Sequence, residues 1–134
     1  MDPRLELFDT KNLVYLSTAM PDGSPQVTPL WVEVGDDDLI RMNTAEGRVK
    51  TANMRRDPRV ALAVHDPAKP YHYVTVRGRV VGITTEGAEE LNDRLAQKYM
   101  GLDRYPFDHG DQVRVVVTVK PEKVYVYGGP RTSA

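Results

Sequence analysis

Two cations, Arg48 and Lys50, sit two residues apart in the segment Asn43-Thr44-Ala45-Glu46-Gly47-Arg48-Val49-Lys50-Thr51-Ala52-Asn53. A strand pattern gives way to a helix pattern there. At such a junction the free N–H groups of a first helical turn, and the positive end of its dipole, favour an anion. A guanidinium holds two phosphate oxygens in one plane, and an ammonium adds a mobile point charge. Thr44 and Thr51 add hydroxyl donors. The spacing suits a phosphate. It equally suits a solvated basic helix face continued by Arg55 and Arg56, which read as surface charges, and spacing alone leaves both open.

The second candidate is Thr28-Pro29-Leu30-Trp31. Pro29 has no N–H to give a ladder, so pairing is interrupted on one side and free backbone there can meet the polar edge of a planar ligand. Trp31, the one Trp of the chain, can pack against such a ring, or belong to a core or a subunit interface. No Ser–His–Asp set or carboxylate pair is evident. The chain has no Cys, which excludes thiolate catalysis, disulfides and Cys-ligated metals. His65, His72 and His109 are too scattered for a metal motif.

These residues must be positioned by strands. Val is the commonest apolar residue, at eighteen copies, mostly in short runs between turn signals. Residues 12–20 form a first strand, closed by a turn at Pro21-Asp22-Gly23-Ser24-Pro25. Residues 26–34 form a second, and Gly35-Asp36-Asp37-Asp38 turns it into a third at 39–44. Short turns predict an antiparallel meander with the second strand beside the third. A short helix is expected over 46–57, ending before Pro58. Strands follow at 59–65 and 71–84, the latter bent by Gly78 and Gly82. Residues 86–100 predict the longer helix, with Thr85 as N-cap and Gly101 as C-cap. Strands at 112–119 and 123–127 finish the sheet, and 128–134 reads as a flexible tail. The expected fold is mainly β: a split β-barrel of about six antiparallel strands, Greek-key in type, with two flanking helices. So short a chain leaves a small core, and a second copy is expected to cover some apolar sheet surface.

At 134 residues and 15.1 kDa the chain fits a single domain over 1–134. Eighteen Lys and Arg against nineteen Asp and Glu give a net charge of −1, so no global field draws it to nucleic acid or anionic lipid. A small-barrel nucleic-acid binder would need a basic groove with aromatic platforms, and two Phe with balanced charge count against it. No secretory signal or membrane-spanning run is read, so a cytoplasmic location is expected.

Residues 23–34, 43–62, 70–80, 104–107 and 114–125, in that order, resemble the pyridoxamine 5′-phosphate oxidase-like, FMN-binding split β-barrels, and within them the F420-dependent oxidoreductase branch. The resemblance runs from about Asn12 to Tyr127. Its most specific element is R-x-K-x-x-N-x-R-R-D-P, from Arg48 to Pro58. It implies a homodimer with cofactor sites at the interface. By that resemblance Arg48 and Lys50, separated by Val49, hold the cofactor phosphate, with Asn53 in the same motif. Asn43 and Thr44 lie along the cofactor, and the backbone of Thr28, Pro29, Leu30 and Trp31 meets its ring. Tyr73 matches a position that reaches the cofactor from the partner subunit. The parent oxidases usually carry Gln there, which suggests a stacking or lid role for Tyr73. Their C-terminal substrate-binding Trp and Arg segment has no counterpart after Tyr127, which argues against pyridoxal phosphate synthesis.

The resemblance implies F420, with FMN as the alternative, and hydride transfer from reduced deazaflavin to a small conjugated acceptor. Arg55, Arg56 and Arg59 are candidates for a rim facing an acidic cofactor tail. Tyr71, Tyr73, Tyr105 and His109 are candidate proton donors, and Arg104 to Phe107 a candidate substrate wall. An FMN enzyme of the same fold and a non-catalytic cofactor carrier are the competing readings.

Overall fold

A computed structural model describes residues 1–107 and 110–128. The candidate proton donor His109 and the tail from residue 129 lie outside them. Seven strands form one antiparallel sheet: β1 (Val14–Ala19), β2 (Pro25–Leu30), β3 (Glu33–Val34), β4 (Ile40–Ala45), β5 (Arg59–Asp66), β6 (Lys69–Thr84) and β7 (Arg114–Tyr127). Helix α1 (Val49–Arg56) follows β4, and α2 (Ala88–Met100) follows β6. A 3-10 helix, Pro3–Asp9, precedes the sheet. Asp2 accepts from the Arg4 N–H at 2.9 Å, and Pro3 presets the first turn.

The strand order is β2-β1-β5-β6-β7-β4-β3. Its two edge strands are consecutive in the chain. Trp31 and Val32 alone carry the backbone from one edge to the other, which holds the edges within about 11 Å of each other. The sheet therefore curls into a barrel that is split where β2 and β3 face each other.

This topology corrects the expected meander. Residues 26–34 are not one strand. They break at Trp31-Val32; β2 pairs with β1, and only Glu33–Val34 lies beside the next strand. The long partner of β4 is β7, from Ile40↔Val119 to Ala45↔Arg114. The reason is closure: a barrel needs one connection that swaps edges, and here it interrupts an apolar run. Two strands expected at 112–119 and 123–127 are one continuous β7, and its register against β6 shifts at Arg77/Gly78 and Val80/Gly82. A Cβ on Gly78 would stand 2.7 Å from the Lys120 carbonyl oxygen, so the bend requires glycine. Helix α2 is capped by Gly87, not Thr85; Gly101 ends it in the left-handed conformation, as expected.

Period-two alternation builds the core. Val14, Leu16, Val60, Leu62, Val64, Val74, Val76, Val115, Val117 and Val119 point inward with Ile40 and Met42. Leu5 and Phe8 of the 3-10 helix join this core and are essentially fully buried. Val116, on the opposite face of β7, packs under Ala88, Leu91 and Leu95 of α2. That helix covers only part of the outer surface. The outer row Tyr15–Ala63–Thr75–Tyr125 across β1, β5, β6 and β7 has no covering element, and Val27 of β2 is 58% exposed beside it. A groove of about 470 Å³ runs along this face past Ser17, Ala61, Arg77 and Lys123.

Candidate functional site: a cationic corner where β4 enters α1

At the end of β4 the Glu46 N–H donates to Val113 O at 2.9 Å. Gly47, at φ +85°, then turns the chain, a conformation that disfavours side chains. Arg48 takes the N-cap position in extended conformation with no capping side-chain bond. A Ser or Asp there would satisfy the first N–H groups itself. Here the N–H groups of Val49 and Lys50 find no acceptor among the described residues. The helix start is thus left open, with Arg48 and Lys50 beside it.

The two hydroxyls proposed as donors are spent elsewhere. Thr51 is fully buried and gives its only proton to Ala45 O at 2.8 Å. At the 3.1 Å contact between the two hydroxyls, Thr44 must therefore be the donor. The pair locks α1 against β4 and fixes the corner's shape.

Arg48 is exposed and Lys50 half-buried. Neither has a carboxylate within ion-pair distance among the described residues. Burial, then the charges of Arg48 and Arg114, hold the Lys50 ammonium below its ordinary pKa. Arg114 is the residue that the sequence did not single out. It opens β7 opposite Ala45, is half-buried, and likewise lacks an acid. Its Nε donates to Asn43 Oδ1 at 2.7 Å and its Nη1 to Gln112 Oε1 at 3.3 Å. Burial first, then Arg48, lower its pKa. Only its register partner in β4 reveals it; in sequence it is one polar residue within a Val-rich strand.

The arginines proposed as a rim for an acidic tail are occupied. Arg55 pairs with Glu46, and Arg59 with Asp57 at 2.7 Å, which holds the Asp57 carboxyl down to about 2. Arg56 donates to Ala19 O and Asn53 Oδ1 at 2.6 and 2.7 Å.

The other candidates fall into three groups. Asn43 adjoins the corner: its Nδ2 donates to Ala88 O at 2.6 Å, which fixes Oδ1 toward Arg114. Asn53 faces away from it; buried, it donates to Thr18 Oγ1 at 3.0 Å and ties α1 to β1. Thr28, Pro29 and Leu30 run along the unpaired edge of β2, Pro29 outward and Leu30 against the core. They lead to Trp31, half-buried and stacked on Tyr99 with centroids 5.1 Å apart. Tyr105 meets Trp31 edge-on at 6.4 Å and Phe107 at 5.3 Å. Tyr105 also lies close enough to Arg114 to be felt electrostatically, so the aromatic wall and the cationic corner are neighbours.

Tyr73 stands apart. It stacks on Tyr127 at 4.7 Å, and Tyr127 is its register partner at the far end of β7. Tyr127 lies thirteen positions beyond Arg114, roughly 40 Å of strand. Tyr71 is exposed on the same hairpin.

The family model for pyridoxamine 5′-phosphate oxidase matches residues 2–128. No curated protein matches the chain. Among solved structures, one described as an F420 reductase is 31% identical, with a TM-score of 0.81, over 93% of this chain and 98% of that one. A conserved hypothetical protein of Mycobacterium tuberculosis is 22% identical, TM-score 0.73, over 100% and 92% of the two chains. The HupZ protein of Group A Streptococcus is 19% identical, TM-score 0.69, over 99% and 98%. The last two share the fold.

Proposed function

Because the chain belongs to the pyridoxamine 5′-phosphate oxidase family, a family of flavin-type redox proteins, we propose that it is an F420-dependent reductase of a small conjugated acceptor. One observation carries the reading. Arg48 and Lys50 stand at the start of α1 beside the unpaired N–H groups of Val49 and Lys50, with no described acid within ion-pair distance. That donor set fits an oxyanion, and a coenzyme phosphate is the one that the family supplies. Likeness to an F420 reductase at 31% identity supports the deazaflavin over FMN, the coenzyme that the family at large favours.

When bound, a reduced deazaflavin supplies a hydride, and one proton completes the two-electron reduction of the acceptor. Arg48, Lys50 and the open helix start anchor its phosphate. The free edge from Thr28 to Trp31 lies along its ring, and Tyr105 and Phe107 form a wall that limits access of water. Tyr105 is the candidate proton donor nearest the corner among the described residues.

The reading includes a homodimer. Tyr73 belongs with the cofactor, yet within one chain it sits at the opposite end of β7, so a second copy would bring it to the site. The uncovered face with Tyr15, Val27 and Tyr125 supplies apolar area for that contact. The cytoplasm is the compartment this reading implies; no helix among the described residues is long and apolar enough to cross a membrane.

The test is a fluorescence titration with F420 and FMN. Replacing Arg48 and Lys50 together by Ala weakens F420 binding by about 2–4 kcal/mol, the loss of two charge-assisted contacts. Unchanged affinity removes the phosphate assignment, and tighter binding of FMN by the wild type reverses the choice of coenzyme.

A further inference from the structure

We propose that Arg114 is a third ligand-facing cation of the corner, which matches the site to a phosphate-anchored group carrying about two negative charges. The inference rests on the phosphate reading above and adds to it a residue and a charge requirement.

Arg114 is half-buried and opens β7 beside Ala45, the last residue of β4. Taking a guanidinium out of water is unfavourable unless a counter-charge replaces the lost hydration. Arg55, Arg59 and Arg94 each have a carboxylate partner, Glu46, Asp57 and Glu33, and Arg56 has a main-chain carbonyl and the Asn53 side chain. Arg114 has two neutral amides, Asn43 and Gln112, and its Nη2 makes no hydrogen bond to a described residue. The amides orient the group without neutralising it. Asn43 is itself fixed by Ala88 O, so the guanidinium is held in one place before any ligand arrives.

Like charge sharpens the point. Arg48, Lys50 and Arg114 are mutually close enough to perturb one another, and no described acid lies within ion-pair distance of any of them. Three cations and an open helix start are more than one negative charge can balance. Two ligand chemistries meet the requirement. One is a phosphate monoester, dianionic at neutral pH, as in FMN. The other is a phosphate diester with a carboxylate close behind it, as in the tail of F420.

The experiment measures binding by fluorescence quenching for FMN, for F420, and for the phosphate-free rings riboflavin and its deaza analogue. Wild type, Arg114→Gln and Arg114→Lys are compared. The expected result is a ten- to hundredfold loss for Arg114→Gln on whichever phosphate-bearing coenzyme the wild type prefers, with phosphate-free affinity unchanged. Arg114→Lys, which keeps the charge, recovers most of that loss. A preference for FMN identifies the monoester as the source of charge, and a preference for F420 the diester with its carboxylate. An equal loss on phosphate-bearing and phosphate-free ligands, or no loss on either, overturns the inference for Arg114 and leaves the phosphate reading standing. A wild type that binds the phosphate-free rings as tightly as the coenzymes overturns the phosphate reading itself.

Discussion

Lys98 carries an ammonium into the joint between α2, the 3-10 helix and the edge-swapping segment. Its Nζ donates to Phe8 O at 3.1 Å and Val32 O at 2.6 Å, and it lies over the Tyr99 ring at 4.8 Å. Burial pulls its pKa from 10.5 to about 8, against the opposing charges of Asp9 and Glu33. Between those two values the unfolded chain binds the proton and the folded one does not, so stability rises with pH across that window. The neutral amine still has N–H groups for both carbonyls. Chemical denaturation at pH 7.5 and pH 10 should show this rise in the wild type and a smaller one in Lys98→Met; equal slopes would refute it. Thr51→Val tests the lock behind the corner. It removes the bond to Ala45 O and strands the buried Thr44 hydroxyl, a loss of about 1–3 kcal/mol by urea denaturation. At this scale the placement of Arg48 and Lys50 at a helix start was legible, because a helix start advertises itself by local pattern. Arg114 was not, because its place beside them comes from a register partner sixty-nine residues earlier in the chain.

The 3-10 helix behaves as a plug. Phe8 is wholly buried among the inward valines, at the end of a segment too short to show a period. Phe8→Ala should destabilise the fold by about 3–5 kcal/mol, read from the urea midpoint; a loss under 1 kcal/mol would mean that the helix is only an appendage. The same scale explains which elements could be read in advance. Turn chemistry placed the β1–β2 turn and the end of α2, since Gly23 at φ +86° and Gly101 at φ +71° do what glycine is used for, and Pro58 marked the end of α1. The split between β2 and β3 was hidden. Leu30, Trp31 and Val32 continue an apolar strand pattern, and only the barrel's need to pass from edge to edge breaks it.

For the whole molecule the uncovered face is decisive. A single chain leaves Tyr15, Val27, Tyr125 and Tyr127 exposed on one sheet surface, and a second copy seated there would remove them from water. Sedimentation at micromolar concentration should find a dimer, and Val27→Glu, which sets a charge in that face, should yield a folded monomer that no longer binds F420. A wild-type monomer would contradict a site shared between subunits. The account rests most heavily on where the coenzyme's phosphate lies, and a crystal structure of the protein with F420 locates it directly. The phosphate should sit on the N–H groups of Val49 and Lys50, within hydrogen-bond distance of the Arg48 and Lys50 side chains; a bound coenzyme whose phosphate lies anywhere else contradicts it.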